Sequence, residues 1–280
     1  MSTESHFKEW AKPGPVPPGF GLGMAADEGE TLDAISGCFR LFQLQDGHRF
    51  STDDILTAWY GTSWCPTART ALDLGSGIGT VGMICAWRLP GARFVTVEAQ
   101  NQSVALARKS AQFNGIHERY EIRQGDFREP NVIHEGEVFD LITGSPPYFP
   151  IGKGFESEHP QKLACRFELR GTVKDYCATA SKHLAAGGFF ACVFPCAPAQ
   201  LLRVQEGARE SGLVIVRQRR IVFREGDAPL VAVFGMMRAS DLPPWFRDQT
   251  WNEPDLLIRT SQGKISPEYS ALKLAIGFPP

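Results

Sequence analysis

Short apolar runs alternate with amphipathic stretches through the middle of the chain. Apolar and β-branched residues are concentrated in five runs, at residues 71–74, 93–98, 120–124, 138–143 and 189–194. Runs of this length and composition predict β-strands. Helical periodicity lies between most of them and is clearest at residues 102–114 and 172–185, each followed by glycine. This alternation predicts a parallel sheet with helices on both faces.

Two further apolar runs, residues 213–223 and 229–237, are separated only by the segment REGDA. Five residues are too few for a helical crossover, so these strands are predicted to be antiparallel. Together the elements predict an α/β, Rossmann-like fold with a seven-stranded, mostly parallel sheet and a terminal antiparallel hairpin. That arrangement resembles class I methyltransferases more than the all-parallel dinucleotide-binding fold.

The residues before the sheet divide into two parts. Residues 1–30 are rich in proline and glycine and predict an extended or disordered lead segment, or a clasp over the core. Residues 31–70 predict a hairpin that turns at Asp46-Gly47, followed by a helix capped by Ser51 or Thr52. Residues 71–280 are predicted to form the cofactor-binding domain.

Composition narrows the function only slightly. The net charge of −2 does not indicate a nucleic-acid partner, so any basic surface must be local. Seven scattered cysteines and dispersed histidines predict reduced thiols and no metal site. The start of the chain lacks an apolar secretion signal, and the apolar run near residues 189–199 is too short to cross a bilayer. We therefore expect a cytoplasmic protein without a membrane partner.

A glycine-rich turn follows the first predicted strand. Asp73 ends that strand, glycines occupy positions 75, 77 and 79, and a helix begins near Thr80. Glycines let the backbone turn tightly and approach a ligand. Residues 77–82 also match the GxGxxG pattern of NAD-binding folds. The preceding acid, the antiparallel hairpin and a second motif downstream favour S-adenosylmethionine as the cofactor.

The second motif is Ser-Pro-Pro-Tyr at residues 145–148, directly after the fourth predicted strand. A conjugated amine becomes nucleophilic when acceptors hold its hydrogens. The side-chain oxygen of Ser145 and the carbonyl of Pro146 are candidate acceptors. Tyr148, with Phe149, offers a face on which a flat base can stack. The predicted catalytic residues are Ser145, Pro146, Pro147 and Tyr148.

The Ser-Pro-Pro-Tyr segment resembles the [Asn/Asp/Ser]-Pro-Pro-Tyr motif of amino-methyltransferases. It follows the glycine turn, as in adenine-amine and glutamine-amide enzymes, whereas the motif usually precedes that turn in DNA cytosine enzymes. Residues 49–61, 165–171 and 256–278 also resemble the bacterial tRNA(Val) adenine methyltransferase family, and the resemblance covers roughly residues 38–279. Ser145 stands where that family usually has asparagine.

The resemblance implies methyl transfer from S-adenosylmethionine to the exocyclic amine of an adenine in RNA, with tRNA as the expected substrate. The resemblance and the glycine-rich turn together assign ten residues to cofactor binding: Thr52, Asp53, Asp73, Gly75, Gly77, Gly79, Glu98, Asp126, Phe127 and Ser145. Glu98 would bind the ribose hydroxyls, and Asp126 with Phe127 the adenine. The substrate-binding residues are predicted to be Tyr148, Phe149, Lys153 and Arg166.

Alternatives remain open at this point. A glutamine amide of a protein such as a release factor fits the same pocket, although no separate helical substrate domain is recognisable. A small-molecule amine is a further acceptor, and a non-catalytic cofactor-binding module is a third reading. An arginine cluster around the predicted strand at residues 213–223, at positions 217, 219, 220 and 224, could bind the phosphates of a nucleic acid.

Overall fold

The structure is a computed structural model that describes residues 6–7, 9–149, 161 and 168–280. Lys153, Cys165 and Arg166 therefore lie outside the described residues. The strands are β1 (His6–Phe7), β2 (Trp10–Ala11), β3 (Glu30–Ala34), β4 (Arg40–Leu44), β5 (Thr70–Leu74), β6 (Arg93–Glu98), β7 (Tyr120–Gln124), β8 (Phe139–Gly144), β9 (Leu184–Pro195), β10 (Leu213–Arg224), β11 (Val231–Arg238) and β12 (Trp251–Arg259). The helices are α1 (Pro18–Gly21), α2 (Thr52–Trp64), α3 (Thr80–Arg88), α4 (Asn101–Phe113), α5 (Val173–His183), α6 (Pro198–Glu210) and α7 (Pro267–Ala275).

Among the described residues, eight strands form the main sheet, in the order β12-β10-β11-β9-β8-β5-β6-β7. Strands β5 to β9 are parallel, β11 is antiparallel to both β9 and β10, and β12 is parallel to β10. The predicted α/β class with its antiparallel hairpin is confirmed. The count of seven strands was wrong, because β12 pairs with the outer edge of β10 and extends the sheet.

Two apolar cores cover the two faces of this sheet. Successive strand residues point to opposite faces. Leu141 and Val193 therefore pack with α2, α3, α4 and α7, whereas Ile142 and Phe194 pack with α5 and α6. None of the helices formed by the described residues is both long and apolar enough to span a bilayer.

The N-terminal hairpin pairs differently from the sequence-based expectation. Strand β4 is antiparallel to β3, with Leu32 opposite Phe42, so the connection lies at residues 35–39. The predicted turn at Asp46-Gly47 was wrong, since residues 45–50 lead instead from β4 to α2. Helix α4 holds this hairpin through buried polar contacts, including the Phe42 amide, which donates to Ser110 Oγ at 2.9 Å.

The lead segment also contacts α4. Phe20 of α1 lies edge-to-face on Phe113, with ring centroids 5.0 Å apart. Gly19 packs against the same ring so closely that a Cβ would overlap it. Further along, the Gly37 amide donates to the Gly277 carbonyl at 2.6 Å. These contacts join the residues before the sheet to both α4 and the C-terminal end of the described chain.

Candidate active site

The glycine turn between β5 and α3 has the backbone that its sequence predicts. Gly75, Gly77 and Gly79 have φ values of +60°, +55° and +89°, in the region that favours glycine. A Cβ at Gly75 would overlap the Tyr176 hydroxyl, whereas one at Gly77 would meet no atom within 4 Å. Gly77 thus leaves room for a ligand. Gly79 packs toward Met83 and Tyr120 and serves the start of α3.

A cavity of about 860 Å³, counted with its open mouth, lies beside this turn at the carboxyl ends of β5, β6, β7 and β8. The residues of the predicted sites that line it are Asp73, Gly75, Gly77, Glu98, Asp126, Phe127, Ser145 and Pro147. The carboxyl edge of an α/β sheet is the expected location for such a site.

Asp73 is engaged entirely by the protein. One carboxyl oxygen accepts from Thr143 Oγ1 at 2.8 Å and the other from the Gly82 amide at 3.0 Å. The side chain is only 2% exposed. Burial raises its pKa to about 7, and the two hydrogen bonds partly oppose that rise. Asp73 therefore ties β5 to β8 and to the first turns of α3, and so positions the glycine turn.

Glu98 holds the other side of the turn. Its Oε2 accepts from the Gly77 amide at 2.9 Å and its Oε1 from the Gln100 amide at 2.7 Å. Burial raises the pKa of this carboxyl, against the effect of these backbone donors. Each carboxylate oxygen can accept a second hydrogen bond. Glu98 can therefore fix the loop and still accept the two hydroxyls of a ribose.

Asp126 and Phe127 form the far wall of the cavity. The Asp126 carboxyl is paired with Arg128, whose Nε lies 2.9 Å from Oδ1, and this hydrogen bond lowers the pKa of Asp126. The Phe127 ring lies edge-on to Tyr176, with centroids 4.7 Å apart. An aromatic wall beside a carboxylate is suited to a flat ring with an amine. The Asp126 carboxyl would have to accept hydrogen bonds from such an amine and from Arg128 at the same time.

The acceptor motif is divided between the cavity and its surroundings. Ser145 Oγ is buried and has no hydrogen-bond partner in the part of the chain that the structure describes. Ser145 and Pro147 line the cavity, whereas Pro146, Tyr148 and Phe149 do not. Phe149 is 43% exposed. An unsatisfied buried hydroxyl is costly, so the polar oxygen of Ser145 is suited to a ligand.

Tyr148 is tethered rather than free. Its hydroxyl donates to Asp53 Oδ2 at 2.6 Å, and its ring lies edge-on to Phe194 with centroids 5.7 Å apart. Burial raises the pKa of Tyr148, and the nearby charge of Asp53 adds to that rise. Burial also raises the pKa of Asp53, while the Tyr148 hydrogen bond lowers it. Asp53 thus contacts the acceptor motif and is not part of the cavity wall.

The first turn of α2 provides a helix cap, a residue of the cavity wall and a residue of a separate pocket. Ser51 caps the helix by accepting from the Asp53 amide at 3.3 Å, and its own amide donates to Asp54 at 2.8 Å. Asp54 lines the cavity, and burial raises its pKa to about 7. Thr52 lies in a separate pocket. Of the two residues predicted here, neither lines the cofactor cavity, and the residue that does, Asp54, was missed.

Several further cavity residues had no sequence signal of their own. They are His48, Phe50, Ser76, Gln100, Arg170 and Tyr176. Ser76 and Gln100 adjoin predicted residues, and the Ser-x-x-Asp capping box could have indicated Asp54. Arg170 and Tyr176 reach the cavity from residues after the acceptor motif, where only tertiary contacts show their place.

Two of the four arginines in the β10 cluster, Arg217 and Arg219, do not contribute to the phosphate-binding surface that their charge suggested. Arg217 is 8% exposed, pairs with Glu253 at 2.9 Å and lies against the rings of Trp64 and Trp251. Arg219 is also buried and forms an ion pair with Glu268. Both arginines are structural, because cations paired and packed in this way are not available to a polyanion.

Comparisons with known proteins agree with this site. Residues 55–167 match the family model of the methyltransferase small domain. Two tRNA1(Val) (adenine(37)-N6)-methyltransferases are similar. That of Aeromonas hydrophila is 30% identical over 54% of this chain and 61% of its own length. That of Histophilus somni is 26% identical over 84% of this chain and 92% of its own length.

Two other proteins show how far the similarity extends. A release factor glutamine methyltransferase of Aliivibrio fischeri is 37% identical, over 30% of this chain and 28% of its own length. The chain therefore spans less than two thirds of two of these curated relatives. The crystal structure of a predicted O-methyltransferase from Agrobacterium tumefaciens superposes with a TM-score of 0.62 at 18% identity, covering 81% of this chain and 97% of that one, and supports the fold.

The fit of the cavity to S-adenosylmethionine rests on the open space at Gly77, the carboxylate of Glu98 at the cavity wall and the aromatic wall at Phe127. These features, the sheet topology and the matched domain agree on the same cofactor. The chain therefore has the class I methyltransferase fold, contains a match to the methyltransferase small domain at residues 55–167, and resembles the tRNA1(Val) (adenine(37)-N6)-methyltransferases.

Proposed function

We propose that the protein transfers a methyl group to the exocyclic amine of an adenine in RNA, with tRNA as the RNA class. The observation that carries this proposal is the unpartnered oxygen of Ser145 at the wall of the cofactor cavity. When bound, S-adenosylmethionine would supply a methyl group on a sulfonium sulfur; the N–C bond would form as the C–S bond breaks, S-adenosylhomocysteine would leave, and the amine would lose one proton to water. The protein must therefore direct an amine lone pair toward that methyl group.

The acceptor motif supplies this orientation. Ser145 Oγ accepts a hydrogen bond from the amine, and the Pro146 carbonyl is the second acceptor. Held in this way, the nitrogen becomes pyramidal, and its lone pair leaves the ring conjugation. The ring of Tyr148, fixed by Asp53 and Phe194, is the surface against which the base stacks. Alignment of the reacting atoms can account for most of the rate, so no strong base is required.

The cofactor side of the proposal assigns seven residues to direct contact. They are Asp73, Gly75, Gly77, Glu98, Asp126, Phe127 and Ser145. Thr52, Asp53 and Gly79 are assigned an indirect role, since they shape the elements that carry the cavity wall. Lys153 and Arg166 remain proposed contacts of the substrate outside the described residues. The proposal includes a cytoplasmic location, where tRNA is available.

The choice of RNA rests on similarity across most of the chain. The Histophilus somni relative, named for adenine methylation in tRNA, matches 84% of this chain. The base must leave its stack to reach a buried Ser145, which single-stranded loops of RNA allow. The serine side chain is shorter than that of asparagine, so its hydrogen-bond acceptor oxygen lies nearer to the backbone. The amine must therefore also lie nearer to the backbone of the motif.

Labelling tests the proposal directly. The protein is incubated with S-adenosylmethionine carrying a labelled methyl group and total tRNA, and the tRNA is digested to nucleosides. We expect label in N6-methyladenosine. Ser145→Ala should lower kcat by roughly 100-fold, the usual cost of removing one transition-state hydrogen-bonding group. The control Ser36→Ala also removes a buried hydroxyl without a partner, but away from the cavity, and should keep activity. Label in protein alone would contradict the proposal.

A glutamine side-chain amide is the second candidate acceptor, favoured by the 37% identity to a release factor enzyme. A planar amide presents the same two hydrogens to the same acceptors. Mass spectrometry of release factors incubated with and without the enzyme separates the two candidates. If the methyl acceptor is a small-molecule amine, neither RNA nor protein should carry label. If the protein is a non-catalytic module, Ser145→Ala should leave its biological role unchanged.

A further inference from the structure

A second pocket lies on the same edge of the sheet as the cofactor cavity. We call it the basic pocket and define it by Thr52, Phe223, Arg224, Arg259, Tyr269 and Lys273. Its volume, counted with its open mouth, is about 780 Å³. Three of its side chains are cationic, and among the residues that the structure describes no carboxylate lines it. A concave surface with this composition is suited to an anion.

Within the described ranges of the chain, no carboxylate neutralises the positive charge in the basic pocket. Arg224, Arg259 and Lys273 form no ion pair with any residue that the structure describes. Burial lowers the pKa of Lys273, and the charge of Arg259 lowers it further, so these two cations repel each other. The neighbouring Asp53 carboxyl already accepts from Tyr148 at 2.6 Å. Glu225 accepts from the Ser261 amide instead.

The topology places this charge at the same edge of the sheet as the acceptor motif. Strand β10 is parallel to β8 and β9, because β11 is antiparallel to both β10 and β9, and β12 is parallel to β10. Arg224 and Arg259 end β10 and β12. They therefore lie at the same edge as Ser145, which follows the end of β8.

The first turn of α2 links the basic pocket to the reaction site in three consecutive residues. Thr52 lines the basic pocket, Asp53 holds the Tyr148 hydroxyl, and Asp54 lines the cofactor cavity. An adenine held at Ser145 and Tyr148 carries phosphates on both sides of its ribose. The basic pocket is the cationic depression adjoining that position.

We propose that the basic pocket binds a backbone phosphate of the RNA, next to the nucleotide whose base enters the Ser-Pro-Pro-Tyr site. This inference rests on the proposed function and adds a specific contact to it. Arginine is suited to such a contact because its planar guanidinium can donate two hydrogen bonds to one phosphate. A phosphate contact fixes the register of the strand and does not read its sequence.

The test measures RNA binding in Arg259→Gln and Lys273→Gln by fluorescence anisotropy with labelled tRNA over a range of salt. Each variant should weaken binding about tenfold, since a charge-assisted hydrogen bond is lost. The slope of log K against log salt should fall by about 1. Affinity for S-adenosylmethionine and the melting temperature should not change. The matched control Arg209→Gln removes a cation from α6 that is 75% exposed, and should bind RNA as the wild type does.

Two contrary outcomes are distinguishable. If the wild type methylates RNA, but both variants keep its affinity and its salt slope, then the basic pocket is not a phosphate site and the proposed function stands. If the wild type binds S-adenosylmethionine but neither binds nor methylates RNA, both proposals fall. A rise in KM for RNA with unchanged kcat in the variants would support the phosphate contact, because it indicates lost binding without lost chemistry.

Discussion

The buried carboxyl of Asp73 shows how one residue can couple the fold to pH. In the folded protein its pKa is raised from an ordinary 3.8 to about 7, chiefly by burial. The folded state therefore binds a proton more tightly than the unfolded state does between these values. The stability that this group contributes is complete below the lower pKa and is lost as pH rises through about 7.

Asp73→Asn should remove this pH dependence while it keeps both hydrogen bonds. The amide oxygen can accept from the Gly82 amide, and the NH2 group can donate to Thr143 Oγ1. We expect the melting temperature of the variant to fall less than that of the wild type, by a few degrees, between about pH 4 and pH 8. Calorimetry across this range measures it. Asp46→Asn, at an exposed position between β4 and α2, is the control, and a parallel decline in Asp73→Asn and wild type would contradict the prediction.

Single residues of the site were predictable where a motif and a strand end coincide. Asp73, Glu98 and Ser145 each lie at or just after the carboxyl end of a parallel strand, and all three line the cavity. Asp54 was not predicted because a shift of one residue along α2 decides which side chain reaches the cavity, and Tyr176 was not predicted because only the packing of α5 brings it there. The roles of the site residues remain predictions until the labelling experiment is done.

At the scale of the element, α2 carries more of the site than its sequence suggested. Ser51→Ala should remove the cap of this helix and destabilise the protein by about 1 kcal/mol. Because Asp54 shares the capping box and lines the cavity, the affinity for S-adenosylmethionine should also fall, severalfold. Calorimetric titration with the cofactor and thermal melting measure the two effects.

Ser266→Ala is the matched control for this change. Ser266 caps α7 by accepting from the Tyr269 amide at 3.0 Å, and it does not line the cofactor cavity. It should lose similar stability without loss of cofactor affinity. Equal losses of cofactor affinity in both variants would show that the effect of Ser51→Ala is merely general destabilisation.

Two strands that the sequence did not reveal, β12 and β3, each have an edge without a neighbouring strand. Strand β12 reads WNEPDLLIR, in which only Leu256 and Ile258 are buried, and β3 reads ETLDA without a fully buried residue. Strands that face solvent carry polar residues and even proline, which hides their periodicity. The strands inside the sheet were located to within a residue or two, except β9, which begins earlier, because burial on both faces makes them continuously apolar.

At the scale of the whole molecule, the lead segment lies on the core through Phe20. Phe20→Ala should destabilise that contact by up to about 3 kcal/mol, because the ring is only partly buried against Phe113. Hydrogen exchange should become faster around residues 17–24, while the sheet stays protected. Val16→Ala, at a side chain that is 55% exposed, is the control. Unchanged exchange in Phe20→Ala would show that the ring does not hold the segment. The division of the chain at residues 30 and 70 remains a prediction.

The sequence by itself determined the α/β class, the antiparallel hairpin, the cofactor turn and the acceptor motif, because each depends on local periodicity or on a short motif. The tertiary structure alone decided which charges are available. Arg217 and Arg219 form ion pairs with acidic side chains, while Arg259 and Lys273 meet in a pocket where no described residue provides a counterion. The physical reason is that burial and pairing depend on residues far apart in the chain, as do the eighth strand and the link from Asp53 to Tyr148.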